Sequence, residues 1–197
     1  HTLERYFTPT ENVDLIDRMS EGLILSTMKN LLRSMANPKD YNARAHLMWA
    51  GNLSHNGLLE TGRDTDWATH RLEHELSGLY DVTHGAGLCA LWGSWARYVY
   101  KEDVKRFVQF AVNVMGVQDD PYHPEETALL GIERFEAFLS SVGMPINLQD
   151  LGLTISQEDK EKMAHNCLLT SDHVGSFKPL FFEDIMNIYT LSEGGQK

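Results

Sequence analysis

Apolar side chains recur at three- and four-residue spacing along almost the whole chain, and alternating β-branched runs are nearly absent. That pattern lines helical faces and gives a sheet no face to bury, so the chain reads as all-α. Eight helices in a bundle-like arrangement are expected. The first, over about residues 13 to 33, is capped by Asn12 and carries Ile16, Met19, Leu23, Thr27 and Leu31 on one stripe. Pro38 stands near the first turn of the second, whose apolar face is Tyr41, Ala45, Met48, Trp49 and Leu53, with Gly57 and Gly62 marking its end. A third begins at Asp64 or Thr65 and runs to about residue 79. The fourth starts near His84 and carries Leu88, Leu91, Trp92 and Trp95. Further helices are expected over 101 to 115, from 124 to 143, after Ser156 and from Phe182.

Size and charge then exclude whole classes of function. The 197 residues suffice for one domain or two small ones at roughly 150 residues per domain. Acidic residues outnumber basic ones 28 to 17, a net charge of −11. A nucleic-acid footprint needs a basic face, and so does adsorption to anionic lipid, so neither partner is expected. Two cysteines, Cys89 and Cys167, make no disulfide framework and read as reduced thiols. No apolar run approaches the ~20 residues of a membrane span. A cytoplasmic protein is expected. Gly85-Ala86-Gly87 lies within a helical pattern rather than after a strand, so no dinucleotide-binding loop is visible. The chain opens on His1 rather than Met and shows no signal peptide, so it is expected to begin inside a longer product.

The chemistry concentrates in residues 67 to 91, WATHRLEHELSGLYDVTHGAGLCAL. His70 and His74 stand four apart on one helical face, and His84 follows a short turn at the start of the next helix. Imidazoles converging at such a corner suit Zn, Fe, Ni or Cu. Three metal chemistries compete on spacing alone. His70-Arg71-Leu72-Glu73-His74 fits H-x-x-E-H, a metallopeptidase pattern in which Glu73 would activate water. Its further glutamate ligand cannot be placed. A di-iron bundle needs E-x-x-H repeats, and no histidine here has Glu three residues before it. The third is an oxidoreductase site whose metal polarises an alcohol oxygen.

The run WATHRLEHELSGLYDVTHGAGLCALWGSW resembles the signature of iron-containing (group III) alcohol dehydrogenases, most closely their butanol dehydrogenase branch. HTLERYFT, DRMSEGLILSTMKNL, NPKDYNARAHLMWAGNLSHNGLL and FKPLFFEDIMNIYTLS resemble successive segments of the same family's helical domain, so the likeness covers the chain in order. It implies that residues 1–197 are the C-terminal metal-binding helical domain, of the dehydroquinate synthase-like kind, with the N-terminal nucleotide-binding domain absent from this chain. The family binds one divalent metal through an aspartate and three histidines. His1, followed by Thr2, Glu4 and Tyr6, matches the first histidine, His70 the second and His84 the third. The aspartate would stand four residues before His1. His74 matches a histidine beside nicotinamide and substrate, and is the implied catalytic residue.

The resemblance thus implies an NAD(P)-linked alcohol dehydrogenase or aldehyde reductase for small primary alcohols. Its cofactors would be Fe2+, with Zn2+ or Ni2+ as alternatives, and NADH or NADPH. A small alcohol or aldehyde, the missing nucleotide domain and a second copy in a homodimer are the expected partners. A zinc metallopeptidase using Glu73 and a non-catalytic helical binding module remain as alternatives. Glu73 and Glu75 read as ordinary helix-face acids and the four tryptophans as core, Trp67 having the best claim to a pocket. Cys89 reads as core. Asn52, His55 and Asn56 are either cleft or buried hydrogen-bonding residues. His46, His123, His165 and His173 read as surface or locally bonded.

Overall fold

A computed structural model describes residues 1–194. Nine α-helices occur among them: α1 (Thr2–Tyr6), α2 (Asp14–Ala36), α3 (Tyr41–Leu53), α4 (Ala68–Tyr80), α5 (His84–Val99), α6 (Val104–Asn113), α7 (Pro124–Ser141), α8 (Gln157–Cys167) and α9 (Phe182–Leu191). No strand forms among the described residues, and β-type pairing is limited to one antiparallel bridge between Val174 and Leu180. The all-α expectation holds, with α1 added to the eight helices read from the sequence. Five residues are too few to show a helical period.

Several helix ends differ from the reading, each for a local reason. Asn12 sits at φ 60°, so Val13 rather than Asn12 precedes α2. Asp40, not the Asn37-Pro38 pair, caps α3: its Oδ1 accepts from the Ala43 N–H at 3.0 Å. The third expected helix starts later, at Ala68. Between α5 and α6 a 3-10 turn (Tyr100–Glu102) intervenes, and α6 begins afresh where Asp103 Oδ1 accepts from the Arg106 N–H.

The chain divides into two compact units, His1–Asp66 and Trp67–Lys197. In the first, α2 packs on α1, α3 and the 3-10 turn Leu58–Glu60. The face that α2 buries is Asp17, Ser20, Glu21, Ile24 and Asn30. This corrects the expected stripe: Met19 is exposed, and Ile16, Leu23, Thr27 and Leu31 are half-buried. Polar groups turn inward because partners are waiting. Arg63 Nη2 meets Asp17 Oδ1 at 2.9 Å, and Tyr6 donates its hydroxyl to Glu21 Oε1 at 2.9 Å. A buried charge so paired escapes most of its desolvation cost. On α3 the buried residues are Ala43 and Ala50, while Tyr41, Met48 and Trp49 lie at the surface. Trp49 is 62% exposed and therefore not core.

The second unit is organised around α5, which packs on α4, α7 and α9 and buries Ala90, Leu91, Trp92, Trp95, Ala96 and Val99. Trp92 and Trp95 are core as expected. The Trp92 ring stands edge-on to Phe135 at 4.7 Å, and Trp95 is 6.3 Å from Phe107. Each large side chain fully removed from water stabilises by ~1.5–3 kcal/mol. Helices α6 and α7 approach so closely at Gly131 that an added Cβ would lie 2.4 Å from Ala111 Cβ. Helix α8 packs on α4 and α9. No helix of the described residues is long and apolar enough to cross a membrane.

Candidate metal centre

Helix α4 is amphipathic in a way that points its histidines at different surroundings. Thr69, His70, Leu72, Glu73 and Leu76 face inward, and His74 faces out. It begins at Trp67, held at φ 59°, a left-handed conformation that costs a non-glycine residue energy. That entry turns the indole back over the first turn, edge-on to His70 with ring centres 4.8 Å apart. Trp67 thus lies against His70, the contact that its place one turn earlier on the chain allows. The helix ends at Asp81, at φ 54°, whose N–H bonds the Ser77 carbonyl at 2.9 Å. Extended Thr83 then starts α5, its carbonyl accepting from Ala86 and Gly87.

This tight corner makes His84 the first residue of α5 and brings it back beside α4. The ring centres of His70 and His84 are 5.2 Å apart, those of His74 and His84 5.6 Å, and those of His70 and His74 5.9 Å. Three imidazoles thus surround one corner of the second unit, His70 buried, His84 half-buried and His74 exposed. Partial burial pushes His74 below the usual histidine range; neighbouring Glu73 pulls it back up, while His70 and His84 push further down. An imidazole so biased is held neutral and able to accept a proton.

Glu73 corrects the sequence reading. It is fully buried rather than an ordinary helix-face acid. One carboxylate oxygen, Oε2, bonds His84 Nδ1, and the other, Oε1, accepts from the Ser77 hydroxyl. Gly87 of α5 closes over it: a Cβ there would come 2.7 Å from Oε1 and 2.8 Å from Cγ. A signal was present in the sequence. Glu73 occupies the i+4 place of the Thr69, Leu72, Glu73, Leu76 series, which is the inner face of an amphipathic helix. Its charge argued for the surface and its register for the core; register prevailed because His84 and Ser77 satisfy it. Glu75, by contrast, is half-buried and accepts from Asn166 Nδ2 at 2.9 Å.

The donor set fits a metal. Imidazole nitrogens bind borderline divalent ions at about 2.0–2.1 Å, and two rings 5.2 Å apart can share one ion. Glu73, His74 and His84 form a second grouping of ligand atoms, all within 4.8 Å of one another, so the corner offers more than one donor combination.

His1 lies in the first unit. It caps α1, its carbonyl accepts from Arg5 Nη1 at 2.7 Å, and its ring lies 4.3 Å from that of His55. Helix α1 is pinned: Arg5 pairs with Glu60 at 2.6 Å, Arg63 Nη1 donates to the Arg5 carbonyl at 2.9 Å, and the Asp66 N–H bonds the Glu4 carbonyl. The remaining polar residues behave locally. His55 Nδ1 lies 2.8 Å from the Gly51 carbonyl, and Asn56 Oδ1 accepts from the Leu58 N–H at 3.1 Å. His123 pairs with Asp120, His173 with Asp172, His165 lies on the Phe182 ring and His46 is exposed. Cys89 is half-buried and its thiol is pushed up to about 11 by burial.

The Fe-containing alcohol dehydrogenase family, C-terminal part, matches residues 1–192. NADH-dependent butanol dehydrogenase B of Clostridium acetobutylicum is 37% identical over 194 residues, 98% of this chain and 49% of that protein. An NADPH-dependent aldehyde reductase of Escherichia coli is 32% identical over 159 residues, 78% of this chain and 39% of its own length. The crystal structure of NADH-dependent butanol dehydrogenase A from Thermotoga maritima superposes with a TM-score of 0.89 at 36% identity, covering 98% of this chain and 50% of that one. The chain spans about half the length of the curated relatives it matches. A match along nearly the full sequence places the chain in the Fe-containing alcohol dehydrogenase family, in its C-terminal part.

Proposed function

We propose that this chain is the metal-binding part of an NAD(P)-linked alcohol dehydrogenase or aldehyde reductase for small primary alcohols. The observation that carries the reading is the family match over residues 1–192 together with the approach of His70 and His84 across the α4–α5 corner. His1, His70 and His84 are assigned as ligands of one divalent ion, with Fe2+ the metal the family description favours and Zn2+ and Ni2+ the alternatives. A divalent ion bound there lowers the pKa of an alcohol and polarises an aldehyde carbonyl. The protein's own residues do the rest. Trp67 packs against one side of His70 and limits the room around its ring. His74, neutral and solvent-facing, takes the alcohol proton outward during oxidation and returns it during reduction. A nicotinamide cofactor, when bound by the nucleotide-binding half that the resemblance implies, would supply the hydride chemistry.

The peptidase alternative has no comparable support. Its general base would be Glu73, and both Glu73 oxygens are turned inward onto Ser77 and His84.

Calorimetric titration of the 197-residue chain with Zn2+, Ni2+ and anaerobic Fe2+ tests the ligand assignment. One ion per chain is expected, with at least a tenfold affinity loss in His70→Ala and His84→Ala, a smaller loss in His1→Ala and none in His74→Ala, because deleting a donor removes more than deleting a neighbour. If both His70→Ala and His84→Ala bind like the parent, there is no such site. Loss confined to His74→Ala and His84→Ala would move the ion to the other grouping.

A further inference from the structure

Each imidazole has two nitrogens, and which one faces a metal is set by what holds the other. At His84 that question has a visible answer. Nδ1 bonds Oε2 of Glu73, and a carboxylate oxygen accepts while a ring N–H donates, so Nδ1 carries the hydrogen and Nε2 keeps its lone pair. Glu73 cannot drift from this task. It is fully buried, its second oxygen takes the Ser77 hydroxyl, and Ser77 Oγ is itself 3.1 Å from the Val82 carbonyl at the end of the turn. Gly87, one turn after His84 on α5, leaves only the room the carboxylate fills. The arrangement ties the interior of α4, the turn and the first turn of α5 to one ring.

We propose that Glu73 is a positioning residue, which holds His84 by Nδ1 so that Nε2 is the atom offered to a metal, and that it is neither a ligand nor a general base. The inference rests on the reading of His70 and His84 as ligands. It also argues against the grouping that includes Glu73, because both oxygens of that carboxylate are already engaged, one by His84 and the other by Ser77.

Two measurements on the 197-residue chain test it. The first needs no metal: long-range 1H–15N spectra report the tautomer of His84. The parent is expected to show hydrogen on Nδ1, Glu73→Ala a shift towards the other tautomer, and Glu73→Gln the parent pattern, since the amide oxygen still accepts from Nδ1 and the amide nitrogen can donate to Ser77. The second is calorimetric titration with Zn2+ alone. Glu73→Ala is expected to lose ~10–100-fold in affinity, the usual cost of removing the partner of a ligating histidine. Glu73→Gln stays within about threefold of the parent, reflecting only the weaker uncharged hydrogen bond. Gly87→Ala keeps every donor but displaces Glu73, and moves both readouts towards Glu73→Ala.

Far-UV circular dichroism verifies that each variant folds, and Glu73→Gln carries the test if Glu73→Ala does not. If Glu73→Gln loses Zn2+ affinity by more than tenfold with the parent tautomer retained, Glu73 is a ligand and the proposal is wrong. An unchanged His84 tautomer in folded Glu73→Ala overturns it equally, with the metal site intact. Failure of the underlying reading looks different: His70→Ala and His84→Ala would then bind Zn2+ like the parent.

Discussion

Tyr80 shows how a single side chain carries a pH dependence. Its hydroxyl donates to Asp159 Oδ2 at 2.8 Å, joining α4 to α8, and burial, reinforced by that carboxylate, pushes the phenol up to about 12. A group whose pKa rises on folding adds stability that is complete below its unfolded value near 10.0 and is lost as pH climbs through the folded value. Tyr80→Phe is therefore expected to destabilise the chain by about 1 kcal/mol at pH 7, the ordinary worth of such a bond. The gap from the parent should narrow steadily above pH 10. Urea unfolding at pH 7, 10 and 11.5 checks this, and a gap independent of pH would contradict it. Reading residues from sequence succeeded where spacing alone fixes geometry: His70 and His84 converge, and Trp67 lies against His70. It failed for Glu73, whose charge outweighed the register that marks the inner face, because His84 and Gly87 close over it only from the next helix.

Helices were legible where their ends and inner faces are set locally. Helices α5 and α7 start at the residues that turn chemistry marks, His84 and Pro124, and α5 buries the expected Leu91, Trp92 and Trp95. Helices α2 and α3 were not legible, because their burial is decided by residues far along the chain. Arg63 reaches Asp17 across 46 positions, so α2 turns a polar stripe inward and its apolar side chains lose the competition for the interior. The same inversion leaves Met48 on α3 78% exposed, although the helical period marks it as core, while Leu59 in the following turn is 2% exposed. Met48→Gln is expected to change stability by less than about 0.5 kcal/mol, and Leu59→Ala to cost ~2–5 kcal/mol. Chemical denaturation of the two variants measures both; a large loss at Met48 would restore the periodicity-based face.

On the scale of the whole chain, composition and period were enough for the fold class, and the family likeness for its place. The division into His1–Asp66 and Trp67–Lys197 was not legible, since no linker composition marks residue 66. The described residues are helical, with no parallel sheet or glycine-rich phosphate loop to seat a dinucleotide. Holding reactants in register contributes about 7–11 kcal/mol of a barrier. Butanol-dependent NAD+ or NADP+ reduction by these 197 residues is accordingly expected to be negligible even with Fe2+ or Zn2+ supplied. Removal of metal with EDTA should leave the far-UV helical signal in place, because both units bury apolar cores of their own, unlike a zinc finger. Robust turnover, or a helical signal that collapses on chelation, would count against these expectations.

The close approach of Gly87 to Glu73 also governs the order in which this sequence can change. A larger residue at 87 is harmful while the acid at 73 keeps its length, and becomes tolerable only after that acid is shortened or lost. The two positions are thus epistatic, and they lie on different helices, 14 residues apart in sequence. Any lineage or library that enlarges position 87 while the acid at 73 keeps its length meets this clash first.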